Sequence, residues 1–479
     1  MSNTINISST LQAAHKIKQN LEDQIRGITN QPEIFAQSPL DFSRNRKLSF
    51  ETTLKIILSF GGQSLSSELL SYFDFILQTP TASAFVQARS KIKIEAFKQL
   101  FYRTIPSNNQ NKQYKGYQLL AHGGSDINIP YDENDPEFHY TIGKFDKPVG
   151  SFHLNALYDP LNKCYASVNF QKIRQLDERS SLCQMVDAFT FEKPTIIIAD
   201  CGHESFNVYE HIRKSGQKIV IRVKDTKSNG FLKGLGLPQK GTFDKEVNLW
   251  LTRRQTNKIK ADKSYQFVRK KASFDYLPPD SKESYPVSLR VVRIKLSEDS
   301  YESLVTNLDS FTFKSEDLKV LYHLRWGIET SFRELKYALG LNQFHSKKLE
   351  FIIQEIYARL IIYNFSMEIA QVVALSAPLK QFYQLNFTQA IGICKRFFLD
   401  QTVNVEILIR RYFLPVRQNR SNQRNITKKK FVGFLYRLPN IINRTIPYRT
   451  FYCVAQKYKI SQVKKKKAIY LRLLFTFLP

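Results

Sequence analysis

The run from Pro194 to Asp200, PTIIIAD, constrains the fold of this chain most strongly. Apolar side chains at nearly every position predict a strand that is buried on both faces, because a strand with one wet face would alternate with polar residues. Such strands lie at the centre of sheets that helices cover. Asp200 then follows the strand, where open α/β sheets usually carry a functional carboxylate. Capping the next turn is the alternative role for Asp200.

Strand and helix patterns alternate around this run. Further β-rich segments cover residues 116–130, 153–171 and 217–225, and helical patterns cover 178–188 and 205–215. This alternation predicts an α/β core. In the N-terminal part we predict helices over residues 52–60, 64–77 and 82–105, and between 225 and 315 we predict strands over 245–253, 265–272 and 286–296. The latter indicate an all-β insertion in the core.

A single amphipathic helix is predicted from Leu321 to Leu341. At roughly 100° per residue, four polar side chains fall within about 60° of one another beside an apolar stripe; they are Tyr322, Arg325, Glu329 and Lys336. A carboxylate flanked by two cations suits metal binding beside a phosphate. Ordinary ion pairs on a solvated helix face are the open alternative.

The charge balance indicates a polyanionic partner. Lys and Arg number 71 against 42 Asp and Glu, a formal net charge of +29. Nucleic acid is the expected partner, because neutralising phosphates releases counterions. No run of about 18 apolar residues is evident, so we do not expect a membrane partner. The 5 cysteines show no metal spacing, which fits a reducing cytoplasm.

The spacing of Tyr322, Arg325, Glu329 and Lys336 resembles the YREK signature of the DDE transposases of the insertion-sequence-four family. The segment IIIADCGHESFNVYEHI is similar to the second-aspartate block of that family, and GYQLLAHGGSDINIP to its first-aspartate block. The N-terminal segments FSRNRKLSF and TPTASAFVQARSKI also resemble family sequence. The likeness covers roughly residues 40 to 437, in the family's order.

This resemblance implies a bacterial insertion-sequence transposase with a ribonuclease H-like core, interrupted by a β-strand insertion. Asp200 and Glu329 would be catalytic ligands of a two-metal Mg²⁺ or Mn²⁺ site for DNA cleavage and strand transfer. DNA contacts are implied for Tyr322, Arg325 and Lys336, and a homodimer on paired ends is implied for transposition and recombination. Trp250, in the insertion, is a further candidate for stacking on a base, with a structural role equally open.

The first-aspartate block departs from the family pattern. Its aspartate position is Gly123 here, immediately before Gly124 and Ser125. Asp126 is the nearest substitute, but an odd offset along a strand points to the opposite face. We expect Gly123 to leave room for an aspartate. Cys201 and His203 are residue types found in zinc sites and thiol nucleophiles, but no other potential ligand is suitably spaced to complete such a site.

The sequence therefore predicts five regions: a helical DNA-binding region over 1–110, core segments over 111–224 and 316–375, the insertion over 225–315, and a basic C-terminal region over 376–479. After about residue 438 the C-terminal region has no family counterpart, and Lys464 to Lys467 are either phosphate contacts or read-through sequence. The predicted function is transposition, impaired by Gly123. The alternative is a non-catalytic remnant that occupies transposon ends.

Overall fold

The structure of the chain is a computed structural model. It describes residues 8–106, 112–131, 135–140, 149–226, 228, 230–298, 300–376 and 383–415. The predicted extension after about residue 438, including Lys464 to Lys467, lies outside the described residues.

A ten-stranded mixed sheet is the centre of the fold. Its first part contains β1 (Gln118–Ile129), β2 (His139–Tyr140), β3 (Val149–Asp159), β4 (Cys164–Lys172), β5 (Thr195–Ala199) and β6 (Lys218–Val223). Strand β5 lies parallel between β1 and β6, and β3 pairs antiparallel with both β1 and β4. All five residues of β5 are buried, which confirms the central strand that its apolar sequence predicts.

The insertion continues this sheet rather than forming a separate one. Its elements are β7 (Phe243–Thr252), α9 (Asn257–Ala261), β8 (Tyr265–Phe267), β9 (Ser284–Ser297) and β10 (Ser300–Thr306). Strand β10 pairs with β6, so the order runs β6-β10-β9-β7-β8. The prediction of an all-β insertion was wrong in one respect, because the insertion also contains the short helix α9. Thr256 caps this helix by accepting a hydrogen bond from the amide of Ile259.

Helices cover both faces of the sheet. On one face lie α7 (Glu178–Ala188) and α8 (Phe206–Lys214), close to the predicted ranges. On the other lie α10 (Ser315–Leu324), α11 (Trp326–Tyr337) and α12 (Leu349–Ser376), followed by α13 (Phe387–Leu399) and α14 (Val405–Arg411). The two-residue strands β11 (Tyr383–Gln384) and β12 (Leu414–Pro415) pair apart from the main sheet.

The N-terminal helices pack on α12. They are α1 (Ser9–Thr29), α2 (Pro32–Phe35), α3 (Phe50–Ser59), α4 (Leu65–Tyr72), α5 (Ala82–Arg89) and α6 (Ile94–Arg103). The single helix predicted over 82–105 is thus two helices, because a tight turn at Ser90 to Lys93 closes with local backbone hydrogen bonds between them. The helix predicted over 64–77 ends earlier, at Tyr72.

Helix α12 corrects the expectation that no stretch is apolar enough to span a membrane. Residues Leu349–Ser376 pass that test by length and composition, yet 72% of the apolar window is buried inside the protein. This helix touches the N-terminal helices, α13 and the strand β4. Its apolar sequence is therefore explained by burial on all sides.

Candidate active site

Asp200 and Gly123 lie side by side at one end of two parallel strands. The pairing of β1 with β5 runs through Ala121 and Ile198, and each of the two residues lies two positions beyond this last pair. The carboxyl ends of parallel strands meet at one edge of a sheet, where α/β proteins place functional groups. The strand pairing therefore places Gly123 next to Asp200.

Side chains alternate along β1 at this edge. A β-carbon on Gly123 would face Ile328 of α11, and Ser125 accepts a hydrogen bond from Lys336 Nζ of the same helix at 2.7 Å. Asp126 instead meets His153 Nδ1 of β3 at 2.7 Å. Asp126 thus projects from the strand opposite to the side that faces α11, as the odd offset from Gly123 predicts.

Asp200 is held by its own turn. Its Oδ1 accepts hydrogen bonds from the amide of Gly202 at 2.9 Å and from His203 Nδ1 at 2.8 Å, so the capping role is confirmed. The His203 bond, together with the charge of Arg325, holds the pKa of Asp200 well below its usual range. Its side chain is 45% exposed. Asp200 is therefore an accessible anion at neutral pH.

A chain of ionisable side chains connects Asp200 with Asp126. Glu178, at the start of α7, lies 2.9 Å from His153 Nε2 and 4.0 Å from His203 Nε2. Burial alone would lower the pKa of His153, but its hydrogen bond to Asp126 and the nearby carboxylate of Glu178 raise it to about 9. The sequence prediction missed Glu178 and His153 as members of this cluster, because no local spacing relates them to Asp200.

The helix that carries Glu329 is not the single helix predicted from Leu321 to Leu341. It divides at Arg325, where the amide of Arg325 bonds to the carbonyl of Tyr322 at 3.3 Å. The backbone of Arg325 keeps right-handed helical dihedral angles. Its amide hydrogen bond reaches back three residues instead of the four of an α-helix. Gly327 follows, and a β-carbon there would lie 3.2 Å from Pro160 Cβ, so glycine permits close approach to the β3–β4 turn.

Arg325 pairs with Glu329, and its charge also acts on Asp200. Its Nη2 lies 3.0 Å from Glu329 Oε1, and its guanidinium lies 4.9 Å from the ring of Trp326. Arg325 is 5% exposed, whereas the Glu329 side chain is 50% exposed. Glu329 is therefore tied to a buried cation on one side and open to solvent on the other.

The other predicted DNA contacts differ in accessibility. Tyr322 is 4% exposed and packs among core residues, and burial raises the pKa of its hydroxyl. Lys336 is half-buried, and burial lowers the pKa of its ammonium group. Trp250 of β7 is 43% exposed. Of these three side chains Trp250 is the most accessible to a ligand, and the polar stripe does not form one solvated face.

The expectation that Gly123 leaves free room for an aspartate was wrong. A β-carbon there would lie 3.2 Å from Ile328 Cγ2 and 3.3 Å from Cδ1. Ile328 is fully buried, so its side chain has to shift by a few tenths of an ångström. Restoring the carboxylate should therefore carry a packing cost.

The carboxylates at this edge do not make a complete metal site. Among the described residues, no group of three or more His, Cys, Asp and Glu side chains is placed to hold a metal ion. Asp200 and Glu329 have the hard oxygen donors that Mg²⁺ and Mn²⁺ prefer. The third donor that the sequence resemblance implies falls at Gly123, which has no side chain.

Two sequence comparisons with known proteins both match transposases. Residues 115–365 match the family model described as transposase DDE domain. The chain is 26% identical over 149 residues to transposase InsG for insertion sequence element IS4 of Escherichia coli (strain K12), covering 28% of this chain and 33% of that protein. The match thus spans about a third of the length of the relative. A cryo-EM structure of the piggyBac transposase synaptic complex with hairpin DNA is similar with a TM-score of 0.42 and 10% identity, over 86% of this chain and 85% of that one.

Proposed function

The chain belongs to the transposase DDE domain family, and from this premise we propose that it is a transposase that binds the ends of its own DNA element and cleaves and transfers strands there. The observation that carries the proposal is the position of Arg325, whose charge acts on the two proposed carboxylates, Asp200 and Glu329. Two carboxylates around one cation suit a site for phosphate chemistry.

We propose a ribonuclease H-like core for this site. Support comes from the mixed order β4-β3-β1-β5-β6, with helices on both faces and Asp200 directly after the central strand. The insertion between β6 and α10 then separates Asp200 from Glu329 in sequence while β10 returns to the same sheet. The family match begins at residue 115, so the N-terminal helices before it are a separate proposal, a DNA-binding region.

The cofactor of this site would be Mg²⁺ or Mn²⁺, which when bound activates a water or 3′-hydroxyl and stabilises the leaving oxygen. Asp200 and Glu329 are its proposed ligands. The chain as written does not complete the set, because Gly123 has no donor and Asp126 is engaged by His153. Cleavage by this copy is therefore slowed by orders of magnitude.

The proposed partner is duplex DNA, at the element ends and at the target. Arg325 and Lys336 would act on phosphates near the cleaved bond, with Tyr322 supporting Arg325 from the core and Trp250 available for stacking. A homodimer pairing two ends is part of the proposal. Because its guanidinium would act on phosphate, we expect Arg325→Ala to weaken both DNA binding and cleavage.

Glu329→Gln tests the catalytic part of the proposal. In a form that cleaves, such as Gly123→Asp, it should abolish plasmid nicking while DNA binding stays nearly unchanged, because shape is kept and a metal-binding charge is lost. Glu334→Gln is the matched control on the same helix, since Glu334 accepts a hydrogen bond from Tyr363 at 2.9 Å. Nicking by Glu329→Gln at the parental rate would mean that α11 is structural.

A second candidate function is favoured by Gly123. A transposase that has lost a metal ligand can still occupy element ends without cutting them, since its positive charge does not depend on the carboxylates. Binding to end-containing duplex with no nicking in Mn²⁺ would favour this function. Slow nicking that Glu329→Gln removes would favour the enzyme.

A further inference from the structure

The turn after α4 holds two consecutive non-glycine residues in the left-handed region, Asp74 at φ 50° and Phe75 at φ 59°. The first is explained by a helix cap, because the amide of Phe75 bonds to the carbonyl of Leu70 at 2.8 Å in the Schellman pattern. The second is not required by that cap and is costly for a bulky residue. A strained backbone here holds Phe75 in a defined position.

The same turn exposes large apolar side chains. Phe75 is 72% exposed and Leu77 is 99% exposed, and Ile76 between them is 43% exposed. Thr79 Oγ1 donates to the carbonyl of Ile76 at 2.6 Å, so the turn has a fixed shape. We call residues 74–78 the apolar turn. Single exposed apolar residues are common on protein surfaces, whereas a rigid pair of exposed apolar side chains indicates an interaction site.

Basic residues lie beside the apolar turn. Lys47 Nζ donates to the carbonyl of Gln78 at 3.1 Å, which joins the turn to the exposed segment that contains Arg44 and Arg46. This segment is anchored by Phe42, whose ring stacks on Phe50 with centroids 4.9 Å apart. The acidic side chain of the turn is Asp74, so positive charge prevails on the combined surface.

We propose that the apolar turn inserts Phe75 and Leu77 at a base-pair step of duplex DNA, while Arg44, Arg46 and Lys47 bind the flanking phosphates. Apolar wedges between base steps, flanked by cations, are a recognised way to kink a duplex. The charge complementarity with phosphate favours DNA over a second copy of the chain. This inference rests on the proposed function, because it assigns a contact to the same DNA.

The test measures binding of the full-length protein to a duplex that carries the element's inverted repeat and a 2-aminopurine probe. Phe75→Ser with Leu77→Ser should lower the affinity about tenfold and remove the fluorescence rise that marks base unstacking. The matched control is Phe311→Ser with Ile407→Ser, which removes two apolar side chains that are 88% and 63% exposed elsewhere. The control should bind and unstack as the parent does.

Circular dichroism and thermal melting of each variant verify folding. The single variant Leu77→Ser repeats the affinity and fluorescence measurements with a change at a side chain that is 99% exposed. Unchanged affinity and fluorescence in the double variant would overturn the inference while leaving the proposed function in place. Failure of the parent protein to bind the duplex would instead reject the proposed function. The inference is also overturned if the variants change dimerisation, or binding to anionic vesicles, without changing DNA unstacking.

Discussion

His153 lies between two carboxylates at the site edge, with Asp126 on Nδ1 and Glu178 on Nε2. Its pKa, raised to about 9, means that it is a cation at neutral pH. A protonated His153 keeps Asp126 engaged, and this is a physical reason why Asp126 is a poor substitute for the missing aspartate. Asp126 remains a predicted substitute that the contacts do not favour.

His153 should contribute stability that depends on pH. Because its pKa in the folded chain is raised above that in the unfolded chain, the contribution is complete below about pH 6.5 and is lost as pH rises through about 9. We expect His153→Gln to cost about 2 kcal/mol of unfolding free energy at pH 6 and much less at pH 10. Urea unfolding of both proteins across this range is the measurement.

His211 offers an internal comparison for that prediction. It also lies between two carboxylates, Asp187 and Asp275, and their hydrogen bonds raise its pKa against the effect of burial. A titration by nuclear magnetic resonance should show both histidines shifted upwards. A pKa at or below 6.5 for His153 would contradict the assignment of its charge.

The positions of single residues in the fold were predictable where the local sequence pattern determined them. Asp200 follows its strand as PTIIIAD predicts, and Glu329 lies on a helix, α11, that contacts β1. The partnership of His153 with Glu178 was not predictable, because residues of β3 and α7 meet through the fold alone. The tight contact of Gly123 with Ile328 was missed for the same reason.

At the scale of elements, a buried ionic cluster joins the N-terminal helices to α12. Arg89 of α5 donates to Glu355 Oε1 and to Gln354 Oε1, each at 2.9 Å. Burial alone would raise the pKa of Glu355, but Arg89, His345 and Arg359 hold it well below its usual range. The cluster fixes how the N-terminal helices lie against the helix that follows the site.

We expect Arg89→Met to reduce the unfolding free energy by about 3–5 kcal/mol, because it leaves the fully buried Glu355 without its main partner. Arg26→Met is the control, since the Arg26 side chain is 46% exposed and its ion pair with Asp23 contributes little. Chemical unfolding of both variants is the measurement. Equal effects of the two changes would show that the cluster does not hold the helices.

Elements with a strong periodic pattern were predicted closely, as α7 over 178–188 shows. Breaks inside a continuous pattern were not predictable. Residues 82–105 and 321–341 each keep a helical pattern through a short interruption, at Ser90 to Lys93 and at Arg325, because the interruption spans too few residues to disturb the apolar stripe. The pairing of β10 of the insertion with β6 was not predictable either, because it joins residues that are far apart in the sequence.

At the scale of the whole molecule, we expect the net charge of +29 to govern the affinity for DNA. The logarithm of the affinity should fall by about 0.9 per neutralised phosphate for each tenfold rise in salt. Glu329→Gln should leave this salt dependence unchanged, because Lys and Arg side chains, not the proposed metal-binding carboxylates, supply the excess positive charge. Fluorescence anisotropy with end-containing duplex at increasing salt is the measurement, and a flat affinity would remove the electrostatic basis of binding.

We propose that Gly123 deprives this chain of a metal-binding carboxylate. The most direct measurement is nicking of a plasmid that carries the element ends, in Mg²⁺ or Mn²⁺, by the chain as written and by its Gly123→Asp, Gly123→Asn and Asp126→Ala variants. Gly123→Asn matches the size of aspartate without its charge, and both should lose about 1–3 kcal/mol of stability against Ile328. We expect robust nicking by Gly123→Asp alone. Robust nicking by the chain as written that Asp126→Ala eliminates would contradict it.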